Sequence, residues 1–131
     1  MSDFDHAAHE AEARQRWGDT DAYEESARRT KKYTKEDWAR INTAQEGIEA
    51  GFADAMASGD APDGERATRL AEQARLHIDR SFYPCSHRMH VGLAEMYLAD
   101  PRFKAHYDDR AAGLAEYVVA AIKANAGSAT D

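Results

Sequence analysis

Residues 76–103 read LHIDRSFYPCSHRMHVGLAEMYLADPRF, from Leu76 to Phe103, and their punctuation decides how the chain is divided. Pro84 disfavours helical geometry at Tyr83, so a helix arriving from the N-terminal side stops near Ser81. Ser86 can cap a new helix over residues 87–99, with Met89, Leu93, Met96 and Tyr97 on its apolar face and Val91 on a flank. Asp100-Pro101 repeats the start signal: the aspartate caps, and the proline sits where a missing amide does no harm. Three helices in succession, separated by tight joints, are the expectation.

The flanking chain continues the pattern. Tyr33 to Trp38 holds a local start signal in which Thr34 caps, Asp37 favours the positive helix end, and Tyr33 and Trp38 form a hydrophobic staple. Trp38, Ile41, Ile48, Phe52 and Met56 then follow helical spacing, with Asn42, Glu46 and Glu49 among the polar positions. Ser58 to Pro62 makes a turn, and the next helix spans about residues 63–81 with a thin stripe of Leu70, Ala74 and Ile78. His77, beside that stripe, reads as a partly buried, hydrogen-bonded histidine. Phe103 and Tyr107 carry the apolar line past Pro101. After Gly113 the last stripe is Leu114, Tyr117, Val118, Ala121 and Ile122. Residues 1–32 are helix-permissive but poor in large apolar side chains, so they read as an arm, either packed on the domain or closing as a lid over ligand. Residues 33–126 form the domain, and residues 127–131 read as a frayed tail.

Composition agrees with an all-α domain. The chain has 131 residues, abundant alanine and many charges, which favour helix over sheet. A net charge of −7 argues against a nucleic-acid groove formed by this chain alone. The single cysteine excludes an internal disulfide and a Cys-x-x-Cys site. No apolar run is long enough to span a bilayer, and no charged-then-apolar leader opens the sequence, so a cytoplasmic protein without membrane contact is expected.

Cys85 is where chemistry could reside. Beside a helix N-terminus, amides and dipole favour thiolate, and His87 and His90 can add positive charge, while Asp79 opposes it. An ordinary buried cysteine, a Cys–His hydrolase, a metal site from His77, Cys85, His87 and His90, and a haem pocket all stay open on spacing alone.

Longer strings of residues narrow these readings. Trp17-Gly18-Asp19-Thr20-Asp21-Ala22-Tyr23, Tyr33-Thr34-Lys35-Glu36-Asp37-Trp38, His77-Ile78, Tyr83, Cys85, Met89-His90, Leu93, Glu95-Met96-Tyr97, Asp100-Pro101-Arg102-Phe103, Gly113-Leu114 and Ala121-Ile122 resemble, in order and spacing, the drug-recognition domain TipAS. The family forms C-terminal effector domains of MerR-like transcription activators. The resemblance implies a compact, globin-like all-helical fold that binds bulky thiopeptide antibiotics of the thiostrepton kind, with the N-terminal arm closing over the cleft. It aligns Cys85 with the family's cysteine, which can add to a dehydroalanine of the drug to form a thioether. Trp17 and Tyr23 are then lid residues, and His77, Tyr83, Met89, His90, Tyr97 and Tyr107 candidate ligand contacts. Core packing is the plainer role for Met89, Tyr97 or Tyr107 taken singly. The resemblance implies stoichiometric capture by a monomer, without turnover, metal or cofactor. DNA contact would come only through a separate MerR-like reader, which this sequence lacks. The alternative is a stand-alone protein that sequesters another hydrophobic antibiotic non-covalently. Ala112 stands where the family often has proline, so the turn before Gly113 is expected either to loosen or to continue the preceding helix.

Overall fold

The computed structural model describes the backbone of residues 21–128 and the side chains from residue 24 onward. The expectations for Trp17, for the Tyr23 side chain and for residues 129–131 therefore lie outside the described residues. Six helices and no strand occur among those described: α1 (Asp21–Thr30), α2 (Lys35–Ala57), α3 (Glu65–Ser81), α4 (His87–Ala99), α5 (Pro101–Asp108) and α6 (Leu114–Gly127). The chain is all-α, as its composition and periodicity led one to expect.

The start signals act locally. Thr34 Oγ1 accepts from the Asp37 amide at 3.1 Å while Asp37 Oδ2 accepts from the Thr34 amide at 2.9 Å, a reciprocal capping box. The Tyr33 and Trp38 rings meet edge-on at 5.5 Å, which completes the staple. Ser86 accepts from the Met89 amide, and Asp100 from the Arg102 amide with Pro101 in the first helical turn. Replacing Thr34 by alanine is expected to cost about 1 kcal/mol in thermal or urea unfolding, with Thr34→Ser close to wild type. Equal stability of the two variants would show that the box contributes nothing.

Helix α6 is the centre of the core, packing on α3, α4, α2 and α5. Leu114, Ala115, Val118, Ala121 and Ile122 are buried on it. Its neighbours come close because their facing residues are small: Ala67 and Ala71 of α3 and Ala94 of α4 are fully buried. The thin stripe expected on α3 thus turns out to be rotated, with Leu70 half-buried and the alanines inside. At Gly51 of α2 an added Cβ would lie 2.8 Å from Leu70 Cδ2, so a side chain there would displace the tip of Leu70.

The joints are hydrogen-bonded. Tyr117 OH donates to the Asp60 carbonyl at 2.8 Å, tying the α2–α3 turn to α6. Gly113 has φ +84°, a left-handed turn suited to glycine, and offers α6 no side-chain cap. Asp108 supplies one instead, accepting from the Ala115 amide at 3.0 Å. Helix α5 ends at Asp108, so Ala112 does not prolong it. Part of the expected arm is helical: in α1, Arg29 Nη1 donates to the carbonyls of Asp79 and Arg80 at the end of α3, at 2.6 and 3.3 Å. Tyr33 OH donates to the Ser81 carbonyl at 2.6 Å.

Candidate functional site

A small cavity of about 20 Å³, room for about one water molecule, lies between the middle of α2 and the core helices. Its apolar wall is Ile48 and Phe52 of α2, Ile78 of α3, and Val118 and Ile122 of α6. Tyr97 of α4 and Tyr107 of α5 stand together in the wall, their ring centres 5.7 Å apart. Polar atoms enter at the floor. Gln45, Glu49 and His90 all face this space, and Glu49 and His90 are only 3% and 2% exposed.

Glu49 stands among the polar positions of α2 in the sequence pattern, yet it is buried and paired. Glu49 Oε1 lies 2.8 Å from His106 Nε2, and because a carboxylate accepts, the imidazole nitrogen carries the hydrogen. Gln45 Nε2 donates to Glu49 Oε2 at 2.7 Å, and Arg110 Nη2, which also pairs with Glu46, is 3.9 Å from Oε1. The signal was present in the spacing: Gln45, Ile48, Glu49 and Phe52 fall at i, i+3, i+4 and i+7, one helical face. Among the described residues the buried Nδ1 of His90 makes no hydrogen bond. Burial, followed by the positive charge of Arg75, pushes the His90 pKa down to about 4, so the ring is neutral near pH 7.

Of the expected contact residues, His90, Tyr97 and Tyr107 line this small cavity, and His77, Tyr83, Met89 and Cys85 lie elsewhere. His77 is partly buried, as expected, but makes no hydrogen bond among the described residues; burial and then Arg80 lower its pKa. Tyr83 is wholly buried, and desolvation raises its hydroxyl pKa far above the ordinary value. Met89 is half-buried against the core.

The expected activation of Cys85 is corrected by its surroundings. Helix α4 begins at His87, after the Ser86 cap, so Cys85 lies outside the first turn. Its Sγ faces the Ser86 carbonyl at 3.7 Å rather than the helix amides. The thiol is 1% exposed, and burial pushes its pKa up to about 12, with Asp79 and Glu72 adding to the rise against Arg75. The backbone around it is clamped. Asp79 Oδ1 accepts from the Cys85 amide at 2.8 Å, and Arg75 Nη1 donates to the Cys85 carbonyl at 2.8 Å. Glu72 holds Arg75 in place and also meets His87 Nε2 and Asn125 Nδ2, each at 3.0 Å. The hydrogen bonds from Arg75 lead the effects that lower the Glu72 pKa to about 2. Cys85 is bonded to no histidine among the described residues. No three His, Cys, Asp or Glu side chains among the described residues are placed to hold a metal ion.

Residues 9–125 match the family described as the TipAS antibiotic-recognition domain. The chain belongs to the TipAS family. It is 44% identical over 126 residues to the HTH-type transcriptional activator TipA of Streptomyces coelicolor, covering 96% of this chain and 50% of that protein. It is 32% identical over 99 residues to the HTH-type transcriptional activator mta of Bacillus subtilis, covering 76% of this chain and 38% of mta. The TipAS chain thus spans about half the length, or less, of these curated relatives. Among solved structures, TipAS of Streptomyces lividans in complex with nosiheptide superposes with a TM-score of 0.84 at 44% identity, covering 95% of this chain and 87% of that one. The antibiotic-binding domain of a TipA-class multidrug resistance transcriptional regulator gives a TM-score of 0.63 at 39% identity, covering 69% and 96%. These relatives are regulators and antibiotic-binding domains rather than enzymes. No described helix is long and apolar enough to cross a membrane.

Proposed function

We propose that this TipAS domain binds a bulky thiopeptide-type antibiotic and reports it to a transcription activator. The supporting observation is its likeness, at a TM-score of 0.84, to a TipAS that was solved with nosiheptide bound. The cavity among α2 to α6 is far too small to take such a ligand, so the drug contacts belong to the surfaces around it, and closure of the N-terminal arm over the drug is part of the proposal. Binding is stoichiometric and involves no turnover.

Thioether capture by Cys85 follows encounter and is slow, because burial raises the thiol pKa and leaves little thiolate until Sγ is uncovered. Addition of S–H across a dehydroalanine C=C forms the C–S bond and returns the proton to the α-carbon, so the drug must first uncover Sγ. Nosiheptide is expected to saturate the protein at one equivalent, with Cys85→Ser retaining the non-covalent Kd. Intact-protein mass measurement should then show a gain of one drug over hours in wild type and none in Cys85→Ser. No saturable binding of nosiheptide or thiostrepton would reject the function, and a mass gain complete within seconds would reject the slow step.

A further inference from the structure

The cavity among the helices has a definite capacity. Its volume of about 20 Å³ clears the roughly 10–15 Å³ that one water molecule needs and leaves no room for a larger molecule. A wholly apolar cavity of that size would stay dry, but Gln45, Glu49 and His90 all contribute to its lining. Among the described residues His90 Nδ1 has no hydrogen-bond partner, although the ring is buried, and a buried nitrogen left unpaired weakens the fold. Glu49 takes one contact from His106 on Oε1 and one from Gln45 on Oε2, which leaves its carboxylate able to accept again. Gln45 turns its amide nitrogen to Glu49, so its carbonyl oxygen is a further acceptor.

We propose that this cavity is a binding site for one structural water, held by His90 Nδ1 of α4 and by Glu49 and Gln45 of α2. Water has the right chemistry because it both donates and accepts. With the ring hydrogen on Nδ1, the imidazole donates to the water oxygen, and the water donates to the Glu49 carboxylate and the Gln45 carbonyl. With the hydrogen on Nε2, the water donates to Nδ1 and to Glu49. The site therefore serves either tautomer. A metal ion is not matched, since no three His, Cys, Asp or Glu side chains among the described residues converge here. The water joins His90 of α4 to Glu49 of α2, and Glu49 in turn meets His106 of α5, so one polar seam crosses three helices inside an apolar core.

The test uses the full 131-residue chain, in a crystal structure that resolves ordered waters and in water-to-methyl cross-relaxation NMR. The crystal is expected to show one water within about 2.7–3.2 Å of His90 Nδ1 and of an oxygen of Glu49 or Gln45. In solution the Val118 and Ile122 methyls, which line the cavity, should receive magnetisation with the sign of a water that tumbles with the protein. His90→Leu should lose both the water and these cross-peaks, and His90→Gln, which keeps a polar group, should retain them; circular dichroism checks that both fold. Tyr97→Phe and Tyr107→Phe control for magnetisation relayed through their hydroxyls, and the cross-peaks should persist in each. A dry cavity, a protein group bonded to Nδ1, cross-peaks that vanish with a tyrosine hydroxyl, or a water that survives His90→Leu overturns the site. The proposal does not rest on drug binding, so a nosiheptide titration of the same protein stands or fails separately.

Discussion

Replacing His106 with leucine is expected to destabilise the protein by about 3 kcal/mol, although His106 touches nothing that would mark it as functional from the sequence. The reason is the partner left behind. Glu49 is buried, and its carboxylate is held by the 2.8 Å contact to His106 Nε2 and the 2.7 Å contact from Gln45. Arg110 stands 3.9 Å away and is shared with Glu46, so it compensates only in part. This places the cost near what leaving a buried carboxylate without a hydrogen-bond partner entails. Glu49→Met in the same background removes the stranded carboxylate and should recover 1 kcal/mol or more, at about the scale of coupling found between contacting residues. Urea unfolding of wild type, both single variants and the double variant measures the coupling. Losses that add to within about 0.5 kcal/mol would mean that the two side chains are not energetically paired.

The second large effect depends on pH and is carried by His90. Its folded pKa is about 4, against an ordinary value of 6.5, because burial and Arg75 oppose its charging. The unfolded chain takes up a proton as pH falls below 6.5 and the folded protein does not, so stability is full above that pH. It declines as pH falls toward 4, where the folded state begins to protonate as well. A separation of this size corresponds to about 3 kcal/mol across the window. Glu72 acts lower, because its folded pKa of about 2 makes its contribution fall between 4.5 and 2. His77, also lowered, acts in the same direction as His90. Subtracting the His90→Gln profile from wild type isolates the His90 part. Parallel profiles between pH 4 and 7 would show that burial of His90 carries no such cost.

Both effects concern residues whose identity was plain in the sequence and whose surroundings were not. The helix starts could be read because their causes lie within a turn. Thr34 and Asp37 are three residues apart, Ser86 reaches Met89, and Asp100-Pro101 acts on the residues beside it. The apolar stripe of α6 was readable for the same reason, since periodicity states which face will be buried. Glu49 broke that logic. A carboxylate is assigned to solvent unless its partner is known, and His106 lies 57 residues away in the chain. Cys85 broke it in the other direction. Proximity to a helix start argued for a thiolate, but the Ser86 cap takes the amide end while the core covers the sulfur.

By itself, then, the sequence determined the helical class, the positions where helices begin, and, through long matching strings such as Asp100-Pro101-Arg102-Phe103, the TipAS resemblance. These depend on interactions among near neighbours or on direct comparison of residues. Tertiary structure alone decided that Glu49, His90, Tyr97 and Tyr107 line one small cavity and that the Cys85 side chain is buried. Desolvation is the physical reason. The state of a thiol, an imidazole or a carboxylate depends on which distant side chains displace its water, and that is settled only when α2, α4 and α5 close on α6.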